Sequence, residues 1–339
     1  MKRLALATVT ALLLPAAQAA GPEDCTRIAD DTRRLACYDK ALARVAPPAD
    51  DVTMEQSGPI AMDRVKARDS RGSSLSQRWE LASADKRGTF LFRPYKPVYL
   101  LPLRWSDSPN AAPQGYSERN TPEGQGLKPV EAKFQLSFKA KVLQSVFGDN
   151  GDLWFGYTQQ SNWQVYDKGD SAPFRESVYE PEIMAVWRTD IDVLGLRWRL
   201  LNIGLNHQSN GKSEPASRSW NRIYAEFGLE GEDFALMIKP WLRVPEEEGN
   251  DDNRDIQDYI GRGEVLGIWK RDGHVISLGL RHSLRTHPSR GAATFDWSFP
   301  IRGYLMGHLQ LFTGYGETLI DYNHRQTVLG VGVSLAQWL

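Results

Sequence analysis

Hydrophobic and polar residues alternate one by one along most of the chain after residue 88. In the stretch 130–143, one set of alternate positions holds Ala132, Phe134, Leu136, Phe138, Ala140 and Val142. The positions between them hold Lys133, Gln135, Ser137, Lys139 and Lys141. Successive side chains of a β-strand point to opposite faces, so this period of two predicts a strand with one apolar and one polar face.

The same alternation predicts twelve strands in all, spanning residues 89–104, 130–144, 152–165, 179–189, 195–209, 220–230, 234–245, 260–270, 274–284, 292–300, 304–315 and 326–339. Short connections at 147–151, 231–233 and 271–273 alternate with longer polar ones at 105–129, 166–178, 210–219, 246–259 and 285–291. Short periplasmic turns and long external loops are typical of outer-membrane barrels. We therefore predict an all-β fold, a twelve-stranded antiparallel transmembrane β-barrel over residues 88–339. A soluble β-sandwich would also alternate, but it explains the unequal loops poorly.

The first residues, MKRLALATVTALLLPAAQA, have the layout of a secretory signal peptide over residues 1–19. A basic start precedes an apolar run and a small-residue cleavage site. The alternative, a membrane anchor, is weaker because the run falls short of the ~20 apolar residues that a spanning helix needs. We predict an exported protein of the outer membrane of a Gram-negative cell.

Composition is consistent with this class. The chain contains 11 Trp, 12 Tyr, 12 Phe and 29 Gly, yet its mean hydropathy is −0.46. A barrel places its apolar residues at alternate positions, so average hydropathy does not detect it. The formal charge is −1, and −3 once the two basic residues of the leader are removed, so no nucleic-acid partner is expected.

Cys25 and Cys37 are the only cysteines, so any disulfide within the chain must join them. Export allows such a bond to persist, and a separation of twelve residues is not the redox spacing Cys-x-x-Cys. We predict a short N-terminal helical segment over residues 20–44 that this bond staples. Residues 45–87, rich in Pro, Ser, Asp and Arg and without a period, are predicted to form a linker.

Candidate chemistry lies on the apolar face of two successive strands. His207 and Ser209 continue the row that Leu205 belongs to, and Asn221 begins the corresponding row of the next strand. Residues two apart share a face, and an antiparallel neighbour can bring Asn221 beside His207. Ser as nucleophile, His as base and Asn as the orienting group would form a triad. The alternative is that these polar residues only mark the level of the lipid headgroups.

Three stretches resemble the outer membrane phospholipase A family: NHQSNGKSEPASRSWNR (206–222), YTQQSNWQ (157–164) and SAPFRESVYEPE (171–182). The resemblance runs from about residue 88 to the end. It implies a twelve-stranded barrel that hydrolyses phospholipid acyl esters, with phospholipase A1, A2 and lysophospholipase activities. It assigns the nucleophile to Ser209, the base to His207 and the orienting residue to Asn221. It also implies dependence on Ca²⁺ and activation by formation of a homodimer.

The ligand assignments rest on this resemblance alone. It places calcium on the Ser217 hydroxyl, the Lys212 carbonyl and Ser171 of the partner subunit, and the oxyanion on the Gly211 amide and water bound to calcium. Lys212 stands where the family has Arg, which preserves a carbonyl ligand but not a guanidinium fork. Gln159 matches a glutamine of the dimer interface; the alternative is a single polar residue near the membrane surface.

The acidic run at 246–252 is expected to be a solvated external loop rather than a cation site. A passive barrel, a porin or structural protein with an inert remnant of the motif, is the rival function. The predicted inward residues Lys133, Lys139, Lys141 and Glu226 suit either a channel or a plugged lumen.

Overall fold

A computed structural model describes residues 25–41, 74–124, 126–169, 171–247, 249 and 251–339. The predicted signal peptide and most of the predicted linker lie outside these residues. The chain divides into two units, Met1–Ala61 and Met62–Leu339. None of the described helices has the length and apolarity that a membrane-crossing helix needs.

The first unit contains helix α1 (Asp31–Ala41). The Asp30 carboxylate accepts a hydrogen bond from the Arg33 amide at 2.9 Å, which satisfies one of the free amides at the start of the helix. Cys25 and Cys37 form a disulfide with a Cα–Cα distance of 5.6 Å. The predicted staple is confirmed.

The second unit contains helix α2 (Ser74–Trp79) and the strands. Its described residues also form 3₁₀ turns at Ser83–Asp85, Glu118–Asn120 and Ile256–Asp258. The strands are β1 (Phe92–Pro94), β2 (Val98–Ser106), β3 (Val130–Leu143), β4 (Asp152–Trp163), β5 (Phe174–Val193), β6 (Leu196–Ser209), β7 (Ser219–Glu230), β8 (Phe234–Val244), β9 (Gly263–Arg271), β10 (His274–His282), β11 (Gly291–Arg302), β12 (Leu305–Tyr315) and β13 (Arg325–Ala336).

Strands β2 to β13 form a closed ring. Each pairs antiparallel with its neighbour in sequence, and β13 pairs with β2. The predicted twelve-stranded antiparallel barrel is confirmed. The predicted first strand, 89–104, is interrupted at residues 95–97 and forms β1 and β2, which both pair with β3. Pro94 ends β1 and Pro97 is the last residue of the break, and proline has no amide hydrogen to donate to a strand neighbour.

The two faces of the wall differ as the alternation predicts. Leu136, Ile203 and Leu329 point outward and are 50%, 46% and 41% exposed, whereas Lys139 and Lys141 point inward and are buried. An apolar outer surface of this kind matches the hydrocarbon of a bilayer. The connections after β2, β4, β6 and β8 are longer than those after β3, β5 and β7, and all four join strand ends at the same end of the barrel.

The barrel interior is filled by paired charges. Glu131 accepts from both Arg104 and Arg175, while Glu317 pairs with Arg104 and Lys133. Because buried charges are tolerated only when they are paired and hydrogen-bonded, these groups hold one another in place. A cavity of about 270 Å³ remains. The lumen is therefore a polar core, which favours the plugged arrangement over an open channel.

Residues 74–87, within the predicted linker, belong to this core. Leu75 and Trp79 of α2 are buried, and the Leu75 amide donates to Glu230 at 3.0 Å. The ammonium of Lys139 lies 3.0 Å from the centre of the Trp79 ring. The helix thus packs against inward-facing side chains at the end of the barrel opposite the long loops.

Candidate active site

His207 and Asn221 are direct partners in the ladder between β6 and β7. The ring nitrogen Nδ1 of His207 lies 2.8 Å from Oδ1 of Asn221. Both residues stand in outward rows, above Leu205 on β6 and Ile223 on β7, which are exposed. The predicted pairing of these two side chains on the lipid face is therefore present in the structure.

The contact selects a tautomer of the neutral ring. An amide oxygen only accepts hydrogen bonds, so in the neutral ring His207 Nδ1 carries the hydrogen and Nε2 retains its lone pair. A base of this kind can accept a proton from a hydroxyl that approaches Nε2. The pair matches the base and the orienting group of a serine hydrolase triad, with an amide in place of the carboxylate.

Ser209 is the last residue of β6 and lies opposite Ser219 on β7 and Tyr179 on β5. It is half-buried and shares the outward parity of His207. Within the described residues, no hydrogen bond joins Ser209 to His207. Catalytic hydrogen bonds of this kind often close only when substrate is bound.

The loop after Ser209 is organised by Asn210, a residue that the sequence reasoning missed. Its amide donates to the Ala216 carbonyl at 2.8 Å, and its side-chain oxygen accepts from the Arg218 amide at 3.0 Å. Asn210 is 4% exposed and also donates to Glu176. The one signal for this role in the sequence is that Asn210 lies between the candidate nucleophile and a loop rich in polar residues.

Gly211 has a φ of +66°, a conformation that residues with a Cβ rarely adopt. A Cβ atom there would lie 3.1 Å from Cε2 of Tyr179. The backbone at this position therefore passes close to β5, one residue beyond Asn210.

The predicted calcium residues have different surroundings. Lys212 directs its ammonium to the Arg175 carbonyl at 2.6 Å and to Glu176 at 3.2 Å, so its charge is already paired. Ser217 donates a 2.5 Å hydrogen bond to the carboxylate of Asp252. Ser171 is exposed in the loop between β4 and β5. Among the described residues, no group of three or more His, Cys, Asp or Glu side chains has a metal-binding arrangement.

The prediction that the acidic run 246–252 is a solvated loop is wrong for three of its members. Asp251 and Asp252 are each 7% exposed, and Asp251 pairs with Arg243 at 2.6 Å. Glu246 accepts a 3.0 Å hydrogen bond from the side-chain amide of Asn221. The loop between β8 and β9 thus lies against the end of β7 that carries Asn221. A single sequence does not reveal this contact.

Burial raises the pKa of Glu246 above that of an exposed glutamate. Arg243 and the hydrogen bond from Asn221 oppose this rise, whereas Asp251 and Asp252 add to it. A carboxylate next to the candidate triad is therefore harder to ionise than an ordinary one.

Gln159 lies on β4, in the outward row that includes Phe155. Its side-chain oxygen accepts from the Tyr157 hydroxyl at 3.2 Å, and its amide donates to Ser161 at 3.3 Å. Its polar atoms are thus partnered within one barrel wall.

Comparison with known proteins gives a consistent result. The family model described as phospholipase A1 matches residues 75–335. A phospholipase A1 relative from Neisseria meningitidis serogroup B is 38% identical, covering 95% of this chain and 93% of its own. The outer membrane phospholipase dimer of Salmonella typhi, solved with bound calcium, has a TM-score of 0.65 at 30% identity and covers 75% of this chain and 95% of that one. An active-site variant of the Escherichia coli enzyme, in which an asparagine is replaced by alanine, has a TM-score of 0.66 at 32% identity over the same shares.

Proposed function

The chain belongs to the phospholipase A1 family and is therefore a lipid ester hydrolase, and we propose that Ser209, His207 and Asn221 are its catalytic residues. The observation that carries this proposal is the 2.8 Å contact between His207 Nδ1 and Asn221 Oδ1 on the outer surface of the barrel. A base at that surface faces the acyl chains and ester groups of the surrounding lipid. The substrate is a membrane phospholipid.

The reaction follows from the three side chains. The Ser209 oxygen forms a bond to the carbonyl carbon of the ester while its proton passes to His207 Nε2. Asn221 holds the ring so that Nε2 faces the serine. The ester C–O bond then breaks, and His207 returns the proton to the departing lysophospholipid hydroxyl. Water, deprotonated by the same histidine, releases the fatty acid from Ser209.

The negative oxygen of the tetrahedral intermediate requires a donor. The Gly211 amide, two residues after Ser209 and held in a left-handed turn, is the proposed protein donor. Calcium, when bound, would supply positive charge beside this oxygen. Water bound to that calcium would be the second donor.

The residues near the loop fit calcium. Ca²⁺ prefers oxygen ligands, and the Ser217 hydroxyl lies beside the Asp252 carboxylate. We propose that Ser217 and the Lys212 carbonyl hold the ion together with Ser171 of the partner subunit. Asp252 adds the negative charge that these neutral ligands lack.

The proposed setting is the outer membrane of a Gram-negative cell, reached through the predicted signal peptide. There, the protein would be activated as a homodimer, with Gln159 at the interface. The apolar outer face supports the membrane setting, and the solved Salmonella typhi relative is described as a dimer with calcium. Dimerisation would bring Ser171 of the partner subunit to a site that one barrel leaves incomplete.

The test is phospholipid hydrolysis by the refolded full chain in detergent micelles, with calcium and with excess chelator, beside Ser209→Ala. Release of fatty acid that needs calcium and vanishes in the variant is the expected result. Hydrolysis that persists with chelator would overturn the metal assignment alone. A folded protein without hydrolysis would favour the passive barrel.

A further inference from the structure

We propose that Glu246 is a positioning residue for the reaction, which holds the amide of Asn221 in the one orientation that keeps His207 basic at Nε2. This inference rests on the proposed function of Ser209, His207 and Asn221. It extends the three-residue site to a fourth member, supplied by the loop between β8 and β9.

The side-chain amide of asparagine is nearly symmetric in shape. The side-chain oxygen and nitrogen of asparagine have nearly the same size, so a half-turn of the group exchanges an acceptor for a donor at little steric cost. If the nitrogen faced His207, it would donate to Nδ1 and move the ring hydrogen to Nε2. A ring of that tautomer cannot accept the proton of Ser209.

An aspartate in this position has no such ambiguity, because both of its oxygens accept. An asparagine needs a second neighbour to define its orientation. Glu246 provides it: Oε1 lies 3.0 Å from Asn221 Nδ2. An ionised carboxylate accepts hydrogen bonds and cannot donate, so it binds only the nitrogen and leaves the oxygen to His207.

Charge adds a second effect. When His207 takes up a proton, a neutral asparagine cannot balance the positive ring as aspartate would. The Glu246 carboxylate lies one amide away, and a charge-assisted hydrogen bond polarises that amide so that its oxygen is a stronger acceptor. The chain His207–Asn221–Glu246 therefore places a negative charge behind the base without a carboxylate in contact with it.

Among the described residues of the acidic run, Glu246 is the one that contacts Asn221. Glu246 is half-buried against β7, whereas its neighbour Glu247 is exposed. Glu247→Gln is therefore a matched control, since it removes the same charge from the same loop. In Glu246→Gln the side chain can donate as well as accept, so both orientations of Asn221 become possible.

The first experiment compares these two variants. Glu246→Gln is expected to lower kcat by about threefold to tenfold, the typical net effect of one intramolecular hydrogen bond, with KM unchanged because Glu246 does not touch substrate. Glu247→Gln is expected to keep the native kcat. Equal kcat values for native protein and Glu246→Gln would overturn the inference.

The second experiment uses Asn221→Asp as a probe of the pair. Two carboxylates at hydrogen-bond distance cannot both ionise, so Asp at position 221 facing Glu246 is expected to give a poorly active enzyme. Adding Glu246→Gln supplies an amide donor to that aspartate and should raise kcat above that of Asn221→Asp alone. A merely structural Glu246 would make the double variant worse than either single one, and that outcome would contradict the proposal.

A readout independent of activity comes from the ring nitrogens. In ¹⁵N-labelled protein, the His207 signals are identified by their loss in His207→Ala, since the chain has only six histidines. The native protein should show a hydrogen on Nδ1, and Glu246→Gln should show a mixture of tautomers. If native protein fails to hydrolyse phospholipid but Glu246→Gln shows the mixture of tautomers, the proposed function fails, although Glu246 still orients Asn221. If native protein hydrolyses phospholipid but Glu246→Gln shows no change of tautomer, the role of Glu246 fails and the proposed function stands.

Discussion

The Ser217 hydroxyl donates a 2.5 Å hydrogen bond to Oδ2 of Asp252, which connects the loop between β6 and β7 to the loop between β8 and β9. The guanidinium of Arg119 lies 3.2 Å from Glu214 and 3.9 Å from Asp252, so positive charge is already attracted to this point. The two loops therefore meet where the proposed calcium ligands lie.

Asp252→Asn is expected to raise the calcium concentration needed for half-maximal hydrolysis by about tenfold or more, because calcium affinity depends on the number of charged ligands. Maximal activity at saturating calcium should be recovered. Calcium titrations of hydrolysis in micelles measure both quantities. Asp272→Asn, in the exposed turn between β9 and β10, is the charge-matched control. An unchanged calcium requirement in Asp252→Asn would remove Asp252 from the site.

Replacement of Gly211 by alanine should lower kcat by about tenfold or more, because a left-handed turn with a Cβ costs about 1–2 kcal/mol and the added atom meets Tyr179 at 3.1 Å. The backbone must shift, and the proposed oxyanion donor shifts with it. Gly148→Ala is the matched control, since its φ is +73° and nothing lies within 4 Å of its Cβ position. Equal losses in the two variants would show that backbone strain alone, rather than the position of the donor, is responsible.

Asn221→Ala should reduce kcat by about tenfold to a hundredfold, since the histidine loses the group that sets its tautomer. The effect should disappear in a Ser209→Ala background, where little catalysis remains to be lost. Steady-state kinetics of the two single variants and the double variant measure this. A further loss in the double variant, in parallel with poorer folding on gels, would assign Asn221 a structural role instead.

Gln159→Ala is expected to weaken the dimer, because the amide can exchange its contacts with Tyr157 and Ser161 for contacts with a second copy in the apolar environment of lipid. Chemical crosslinking in micelles with a substrate analogue should give less dimer for Gln159→Ala than for native protein. The variant should also need a higher protein concentration to reach the same rate of hydrolysis. Thr313→Ala, which removes the polar pair with Thr327 elsewhere on the wall, is the control. Native levels of crosslinked dimer would support the alternative of a lone polar residue.

The alternation of side chains was sufficient to predict the barrel, its twelve strands and the outward position of His207 and Asn221. An alternation with a period of two shows which side chains point outward, because the outward face of each strand contacts lipid and is apolar. The break at residues 95–97 was not predicted, although Pro94 and Pro97 were visible. The burial of α2 was also missed, because a short helix with Leu75 and Trp79 has too few residues to show a period.

The loops were harder to predict than the wall. Nothing local in the acidic run indicates that Asp252 contacts Ser217 or that Glu246 contacts Asn221, because these contacts join segments separated by 35 and 25 residues. Only the closed ring of strands brings their ends together. Composition favoured a solvated run, whereas the tertiary contacts of Arg243 with Asp251 and of Asn221 with Glu246 bury part of it.

The pH dependence of kcat is expected to depend on Glu246. Burial raises the pKa of Glu246, with Asp251 and Asp252 adding to the effect and Arg243 opposing it, so this carboxyl takes up its proton at higher pH than an exposed glutamate. As pH falls through that raised pKa, the acceptor that orients Asn221 toward His207 is lost, and the acid limb of kcat includes this step. Glu246→Gln removes the step, so its acid limb should lie at lower pH than the native one. The same carboxyl also affects stability. Because folding raises its pKa, it binds its proton more tightly in the folded state than in the unfolded state. Its contribution to the unfolding free energy therefore falls as pH rises from the unfolded pKa through the folded pKa. Glu246→Gln should therefore not be less stable than native protein at neutral pH, which thermal unfolding in micelles measures. A native acid limb in the variant would refute the predicted pH dependence.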